Sequence, residues 1–316
     1  MYTPVKPYFY GQNRIMSASY LLGIDLGGTK IEAALLDAKT NQVIVRERVA
    51  TEGHLGYDHI LNNIAQLANS VCKPYDFTPQ HIGIATPGTL DPLTQTMKNC
   101  NTTALNGRHM KADLEKILGY EVRLANDANC FAIAEAQMGI VKEKMPEAQV
   151  VFGVIMGTGV GGGVVVNGRV IGGRHGIGGE WGHNFLDESG GPCYCGKTGC
   201  VETVISGPAL ERFYAKISGS EKKLKDIVSE YREGNAPFAQ QTMERLYEQF
   251  GRAIAVVINI VDPDVIVIGG GVGNIDEIYT EGVERVKKYI FNPRVEVLFL
   301  KPSLGDSAGV FGAALL

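Results

Sequence analysis

The apolar residues of the chain come in short runs whose spacing alternates between continuous and helical. Residues 21–25 form a continuous apolar run that stops at DLGGTK, and 31–36 form another directly beyond it. A turn signal at Asn41 and Gln42 precedes 43–49, where apolar and charged residues alternate. Continuous runs fit buried strands and alternation fits a strand with one wet face, so the start of the chain predicts a meander of three strands. Residues 57–71 carry Ile60, Ile64, Leu67, Ala68 and Val71 at helical spacing, which predicts a helix. A strand is expected at 81–85, ending in the turn TPG, then a short helix at 112–118 and a strand at 121–124. NDAN opens a helix that runs through Met138.

The second half repeats this order. Residues 150–156 read as a buried strand ending in the glycine turn GTGVGGG, and 164–166 as the next strand. Asn167 and Gly168 form a hairpin signal, and Val170 begins a third strand. Two halves that each open with strand, glycine turn and strand suggest two related α/β domains facing one another across a cleft. A long insertion at 175–205 carries three cysteines. Helices are expected at 208–231 and 238–261, a strand at 264–268 ending in GGGVGN, and a strand at 295–300. GDSAGVFGAALL closes the chain as a capped helix. The domain scheme is therefore an extension at 1–20, a small domain at 21–125 and a large domain at 126–303, with the helix at 304–316 packing back on the small domain.

Composition narrows the class. A chain of 316 residues suits about two domains. The net charge of −4, from 30 basic and 34 acidic residues, offers no broad positive field and argues against nucleic acid as the main ligand. The longest apolar runs, 253–261 and 265–268, are too short to span a bilayer, and the first 20 residues lack the apolar stretch of a secretory signal. A cytoplasmic protein that does not bind membranes is the expectation.

Three glycine turns follow buried strands: DLGGTK (Asp25, Gly27, Gly28, Thr29, Lys30), GTG (Gly157, Thr158, Gly159) and GGG (Gly269, Gly270, Gly271). Such turns let backbone N–H groups approach phosphate oxygens without a side chain in the way. Asp25 could hold Mg²⁺, directly or through water. None of the three is a Walker A motif, and GTGVGGG is followed by a strand rather than the helix of a dinucleotide fingerprint. Together they point to a nucleotide in the interdomain cleft. Asp127, between a strand and a helix, is on its own most simply an N-cap, with a general base as the functional alternative. His183, Cys193, Cys195 and Cys200 form a one-histidine, three-cysteine set that suits a closed tetrahedral Zn²⁺ site. Four protein ligands leave no open position, so such a zinc would be structural. Glu180 and Glu202 flank the set and could accept hydrogen bonds from sugar hydroxyls, although solvated glutamates are the commoner case.

DLGGTK, TPGTLDP, NDANCFAIAEA, GTGVGGG, GEWGHN, CYCGKTGCVE, VDPDVIVIGGG and GDSAGVFGAA, in this order, resemble the ROK family (repressors, open reading frames and kinases) from about residue 21 to 316. KNCNTTALNG, CYCGKTGC and ETVISG look most like its bacterial manno(fructo)kinase group. The resemblance implies an α/β fold of two actin-like domains (ribonuclease H-like, hexokinase-type) with an interdomain cleft. It implies that Asp127 is the catalytic base and that Asn126, Glu180, His183 and Glu202 bind the sugar, with Gly88 and Asn101 lining the pocket. His183 would then use one nitrogen on zinc and the other toward a hydroxyl. The three glycine turns would hold ATP, and a homodimer is expected. Residues 1–20 have no counterpart in the shorter kinases of the family. The expected reaction is phosphorylation of a hexose at its 6-hydroxyl, with fructose, mannose or glucose preferred over an N-acetylhexosamine such as N-acetylglucosamine or N-acetylmannosamine. Thr102 and Thr103 are candidates to border the C2 side. A sugar-responsive repressor is disfavoured because about 20 residues ahead of the first strand are too few for a helix-turn-helix, and an actin-like filament because the sugar ligands and cysteine loop are intact.

Overall fold

The computed structural model describes residues 20–316. The N-terminal extension lies outside the described residues up to position 19, and Tyr20 opens the first strand. Strands β1 (Tyr20–Leu26), β2 (Lys30–Asp37) and β3 (Val43–Ala50) form the antiparallel meander. After α1 (Tyr57–Cys72), β4 (His81–Thr86) pairs parallel to β1. A small hairpin of β5 (Thr89–Leu90) and β6 (Met97–Lys98) and helix α2 (Met110–Leu118) lead to β7 (Glu121–Asn126), parallel to β4. The chain continues through α3 (Asp127–Gln137) and α4 (Ile140–Lys144) into the antiparallel strands β8 (Val150–Met156), β9 (Val160–Val166) and β10 (Arg169–Val170). Helices α5 (Val201–Ile205), α6 (Gly207–Ser218), α7 (Leu224–Glu233) and α8 (Pro237–Val261) follow the cysteine-bearing loop. The remainder is β11 (Val265–Gly269), α9 (Gly270–Gly273), α10 (Glu281–Val286), β12 (Leu298–Leu300) and α11 (Ala308–Ala314). Among the described residues no helix is long and apolar enough to cross a membrane.

The two sheets have the same plan. One runs β3-β2-β1-β4-β7 and the other β10-β9-β8-β11-β12, each a three-stranded meander extended by two parallel strands. The burial of β2 explains its continuous apolar run: every position of 31–36 is buried, because α1 and α11 both pack against this strand.

Three expectations change. Residues 161–163 belong to β9 rather than to a turn, because α3 lies directly on that strand; a Cβ on Gly163 would come 2.6 Å from the Ala128 carbonyl oxygen. The helix expected at 208–231 is two helices, broken where Gly219 takes a left-handed conformation (φ 73°) at the end of α6. The strand expected at 295–300 shrinks to β12, and α10, whose sequence EGVERV has little apolar signal, was not anticipated.

Helices α3 and α11 join the two sheets. α11 packs on β1, β2 and β4, α3 packs on β8 and β9, and the two helices pack on each other. The approach is backbone to backbone. A Cβ on Gly83 of β4 would land on the carbonyl oxygen of Ala313, and one on Gly312 of α11 would land on that of Cys130 in α3. The buried carboxylate of Glu135 ties the pair: it accepts the N–H groups of Ser303 (3.1 Å) and Leu304 (3.0 Å), just ahead of α11, and of Ile140 (2.9 Å). At the same end of α11, buried Glu32 accepts the hydroxyl of the N-cap residue Ser307 at 3.1 Å and pairs with Arg46 (3.2 Å) and Arg48 (2.8 Å).

This packing predicts that Gly312→Ala destabilises the protein even though alanine is the better helix former by about 1 kcal/mol. The expected loss is about 1–3 kcal/mol or more, the range for overpacking, read as a lower urea midpoint. Gly172→Ala, where an added Cβ meets nothing within 4 Å, should leave the midpoint nearly unchanged.

Candidate active site

The boundary between β7 and α3 builds the centre of the site. Asn126 takes the N-cap position: its Oδ1 accepts the N–H of Asn129 at 2.8 Å. Asp127 is therefore the first residue of the helix and not its cap, and its carboxylate, which also accepts the Ala128 N–H at 2.8 Å, is left to the cleft. Asp127 is exposed at the cleft, yet the protein around its carboxylate desolvates it and raises its pKa above the usual aspartate value. Asn126 also donates its Nδ2 to Glu180 Oε1 at 3.2 Å, linking the first sheet to the segment that leads into the cysteine loop.

One cleft of about 1160 Å³ is lined by Gly88, Asn101, Asn126, Asp127, Glu180, His183 and Glu202, together with Gly157, Thr158 and Gly159. All seven sugar-site candidates and one of the three glycine turns thus share a cavity. Thr103 lines it as well, whereas Thr102 lies against Gly53. The other two glycine turns do not line it but sit close by. Asp25, at the end of β1, is near enough for Asp127 and Glu32 to add to burial in pushing its pKa up to about 6, against Lys30 and Arg48. The Asp25 turn is fixed by Thr51, whose hydroxyl donates to the Gly27 carbonyl at 2.7 Å and whose N–H donates to Thr29 at 3.0 Å. Gly269 ends β11, and Gly270 and Gly271 begin α9 beside the end of β8. Burial, followed by the negative charges of Asp127 and Glu202, raises Glu180 as well, while His183 and the Asn126 hydrogen bond lower it. The site is a concentration of carboxylates that water solvates poorly, which is suited to neutral hydroxyl donors and to a cation.

The ligand atoms of His183, Cys193, Cys195 and Cys200 lie within 4.8 Å of one another. His183 Nδ1 is 3.6 Å from Cys193 Sγ, and the Sγ atoms of Cys195 and Cys200 are 3.6 Å apart. A tetrahedral ion with bonds of about 2.1 Å to nitrogen and about 2.3 Å to sulfur has edges of about 3.6 and 3.8 Å, so these spacings fit. They are far beyond the roughly 2.05 Å of a disulfide, and all three cysteines are free. With Nδ1 turned to the cysteines, Nε2 faces the other way and meets the hydroxyl of Tyr194 at 3.0 Å. The two rings stand edge to face, 5.1 Å apart. Tyr194 also lines the cleft; it is 69% exposed, but partial desolvation of its phenol and the charges of Glu202 and Glu180 raise its pKa. The sequence reading missed this residue. Its position between two metal-ligand candidates was the available signal.

The ROK family model matches residues 21–316. The N-acetyl-D-glucosamine kinase of Vibrio parahaemolyticus is 36% identical over 304 residues, covering 93% of this chain and 98% of that protein. Among solved structures, the ROK hexokinase of Thermus thermophilus aligns with a TM-score of 0.83 and 31% identity, over 94% of this chain and 97% of that one. A ROK family glucokinase from Streptomyces griseus, crystallised with glucose and AMPPNP, aligns with a TM-score of 0.72 and 26% identity, over 94% and 98%.

The cluster geometry predicts one tightly held zinc per chain, measured by elemental analysis after gel filtration. Cys200→Ser, which removes a buried ligand, should lose the metal and lower the melting temperature, because metal binding and folding of the loop are linked.

Proposed function

The chain belongs to the ROK family and is one of its ATP-dependent sugar kinases, and from that premise we propose that it transfers the γ-phosphoryl group of ATP to the 6-hydroxyl of N-acetyl-D-glucosamine. The observation that carries the choice of sugar is the 36% identity to an N-acetyl-D-glucosamine kinase along almost the full length of both chains. That likeness outweighs the short motifs behind the sequence-based preference for fructose, mannose or glucose. A second reading, an unmodified hexose, keeps support from the likeness to the Thermus thermophilus hexokinase.

In this reading Asp127 accepts the proton of the 6-hydroxyl while that oxygen attacks the γ-phosphorus. The bond between the γ-phosphorus and the bridging oxygen breaks, and ADP leaves with the electron pair. Asn126 holds the start of α3 so that Asp127 keeps its place, and its bond to Glu180 joins the base to the sugar ligands. Glu180 and Glu202 accept hydrogen bonds from ring hydroxyls, and His183 and Tyr194 close the end of the pocket formed by the cysteine loop. Backbone N–H groups of the DLGGTK, GTG and GGG turns face the phosphates of ATP. Asp25 is the carboxylate that would hold Mg²⁺, which when bound offsets phosphate charge; its raised pKa marks a desolvated anion that a cation would stabilise. Zinc on His183, Cys193, Cys195 and Cys200 would act as a structural tie for the sugar side of the pocket.

A coupled ADP-release assay should give turnover with N-acetyl-D-glucosamine above that with glucose, mannose, fructose and N-acetylmannosamine; higher kcat/KM with a plain hexose would favour the second reading. Asp127→Asn should lower kcat by about 10²–10⁴, the usual contribution of a general base, with sugar binding largely kept. The pH dependence follows from the raised carboxylates. Activity should fall on the acid side with an apparent pKa above that of an ordinary aspartate, belonging to Asp25 and Asp127 together. For stability the sign is opposite to that of a salt-bridged aspartate. Asp25 is raised in the folded protein, so its ionisation costs stability that grows as pH climbs from about 4, the unfolded value, to about 6. Mg²⁺ with nucleotide should therefore raise the melting temperature more at pH 7.5 than at pH 5.

A further inference from the structure

Glu202 faces two ways. Cys200 occupies the N-cap position of α5, which places Glu202 in the first turn of that helix. Its carboxylate lines the cleft beside Glu180 and His183, yet Oε2 also accepts the N–H of Val160, at 2.9 Å, where the second glycine turn enters β9. Gly159 lies against the same oxygen; a Cβ there would come 2.6 Å from it. The next residues of the segment hold the other end of the turn. The N–H of Gly207, at the start of α6, donates to the Gly157 carbonyl at 2.9 Å, and buried Ser206 caps that helix through the Ala209 N–H at 3.3 Å. The turn itself is closed by the Gly157 N–H on the Gly159 carbonyl at 2.9 Å. A stretch of six residues, 202–207, thus clamps both ends of the turn whose N–H groups would meet the phosphates of ATP.

We propose that Glu202 is a positioning residue for the nucleotide as well as a ligand of the sugar, so that sugar in the pocket tightens the binding of the nucleotide by fixing the carboxylate that braces the second glycine turn. The inference rests on the sugar-kinase reading of the cleft. In the free protein the Glu202 carboxylate is held on one side by the Val160 N–H and stands near a second carboxylate, Glu180. Hydroxyl donors from a sugar satisfy both carboxylates and limit the rotamers open to Glu202. A turn already ordered in this way loses less conformational freedom when the nucleotide arrives. Linkage makes the effect mutual: whatever the sugar does for the nucleotide, the nucleotide does for the sugar.

The test is calorimetric titration of the zinc-loaded full chain with Mg·ADP, which cannot react with the sugar, with and without saturating N-acetyl-D-glucosamine or whichever sugar the assay selects. The wild-type Kd for Mg·ADP should fall at least about fivefold when sugar is present, the lower end of ordinary coupling. Glu202→Gln and Glu202→Ala remove the same charge, but only the glutamine keeps an oxygen that can accept the Val160 N–H. Without sugar, Glu202→Gln should bind Mg·ADP nearly as the wild type does, and Glu202→Ala several-fold more weakly. Gly159→Ala, on the nucleotide side, should weaken sugar binding in the absence of any nucleotide, because its Cβ displaces the Glu202 carboxylate. Equal Mg·ADP affinity with and without sugar in the wild type overturns the proposal, and so does equal affinity in the two Glu202 variants. A failed kinase reading looks different: sugar or Mg·ADP would then not bind at all, whereas failed coupling leaves both binding independently.

Discussion

The contact on which the rest of the structure depends is the close packing of α3 against α11. Each helix lies on one of the two sheets, and they meet where Gly312 lets α11 settle on the backbone of Cys130. A side chain at that point would push the helices apart and move both sheets with them, because protein interiors are dense enough to pass such strain on rather than absorb it. The two ends of the pair carry the chemistry. The first turn of α3 presents Asn126 and Asp127, and the first turn of α11 stands over Asp25, with Gly309 against its carboxylate. Two carboxylates at the ends of β1 and β7, strands of one sheet, are thereby held near one another, and burial first, then the charge of Asp127, raises the pKa of Asp25.

That cost explains the shape of the site. Asp25, Asp127, Glu180 and Glu202 gather in or beside one cleft, and burial raises the first three. Ion pairs could have relieved the strain, yet the arginines of the region, Arg46 and Arg48, are spent on Glu32 outside the cleft. Lys30 and Arg48 offset the Asp25 charge, and His183 that of Glu180, only in part, so the site would favour ligands that supply the rest: in the proposed reading, hydroxyls at Glu180 and Glu202 and a cation at Asp25. A scaffold optimised for stability alone would not assemble such a group, and this conflict between local cost and ligand binding marks a working site.

The cysteine loop supplies order where the sheets cannot reach. Residues 171–200 contain no strand and no α-helix, only short 3₁₀ turns and isolated bridges, yet they carry Glu180 and His183 and lead into Glu202. Four metal-ligand side chains converge in this stretch. A metal held there would fix the ring of His183, the backbone on either side of Tyr194 and the cap of α5 at once. The hydrogen bond from Asn126 to Glu180 and that from Val160 to Glu202 then tie the loop to the first sheet and to the second glycine turn. Selection among sugars would turn on the placement of such side chains, Tyr194 among them, within a few ångströms.

Much of this was legible in the sequence because it depends on local rules. Continuous apolar runs ending in glycine turns mark strands that leave a buried sheet at a binding edge, and their repetition in the two halves anticipated two sheets of one plan. Three cysteines and a histidine at short spacing implied a chelating loop without any knowledge of the fold, since the ligands are close along the chain. The misreadings arose where distant residues decided the outcome. Gly161, Gly162 and Gly163 read as a turn because glycine favours turns; they are strand because α3 and Trp181 occupy the space their side chains would need. Asp127 by itself reads as a cap; with Asn126 capping the helix, its carboxylate is turned to the cleft. The double use of Glu202 and the grip of Tyr194 on His183 had no signature in spacing, because their partners come from other segments. Sequence determined which elements form and which side chains could do chemistry, since both follow from neighbours along the chain. Only the tertiary structure decided which of those side chains meet, because that depends on how closely two helices far apart in sequence can approach.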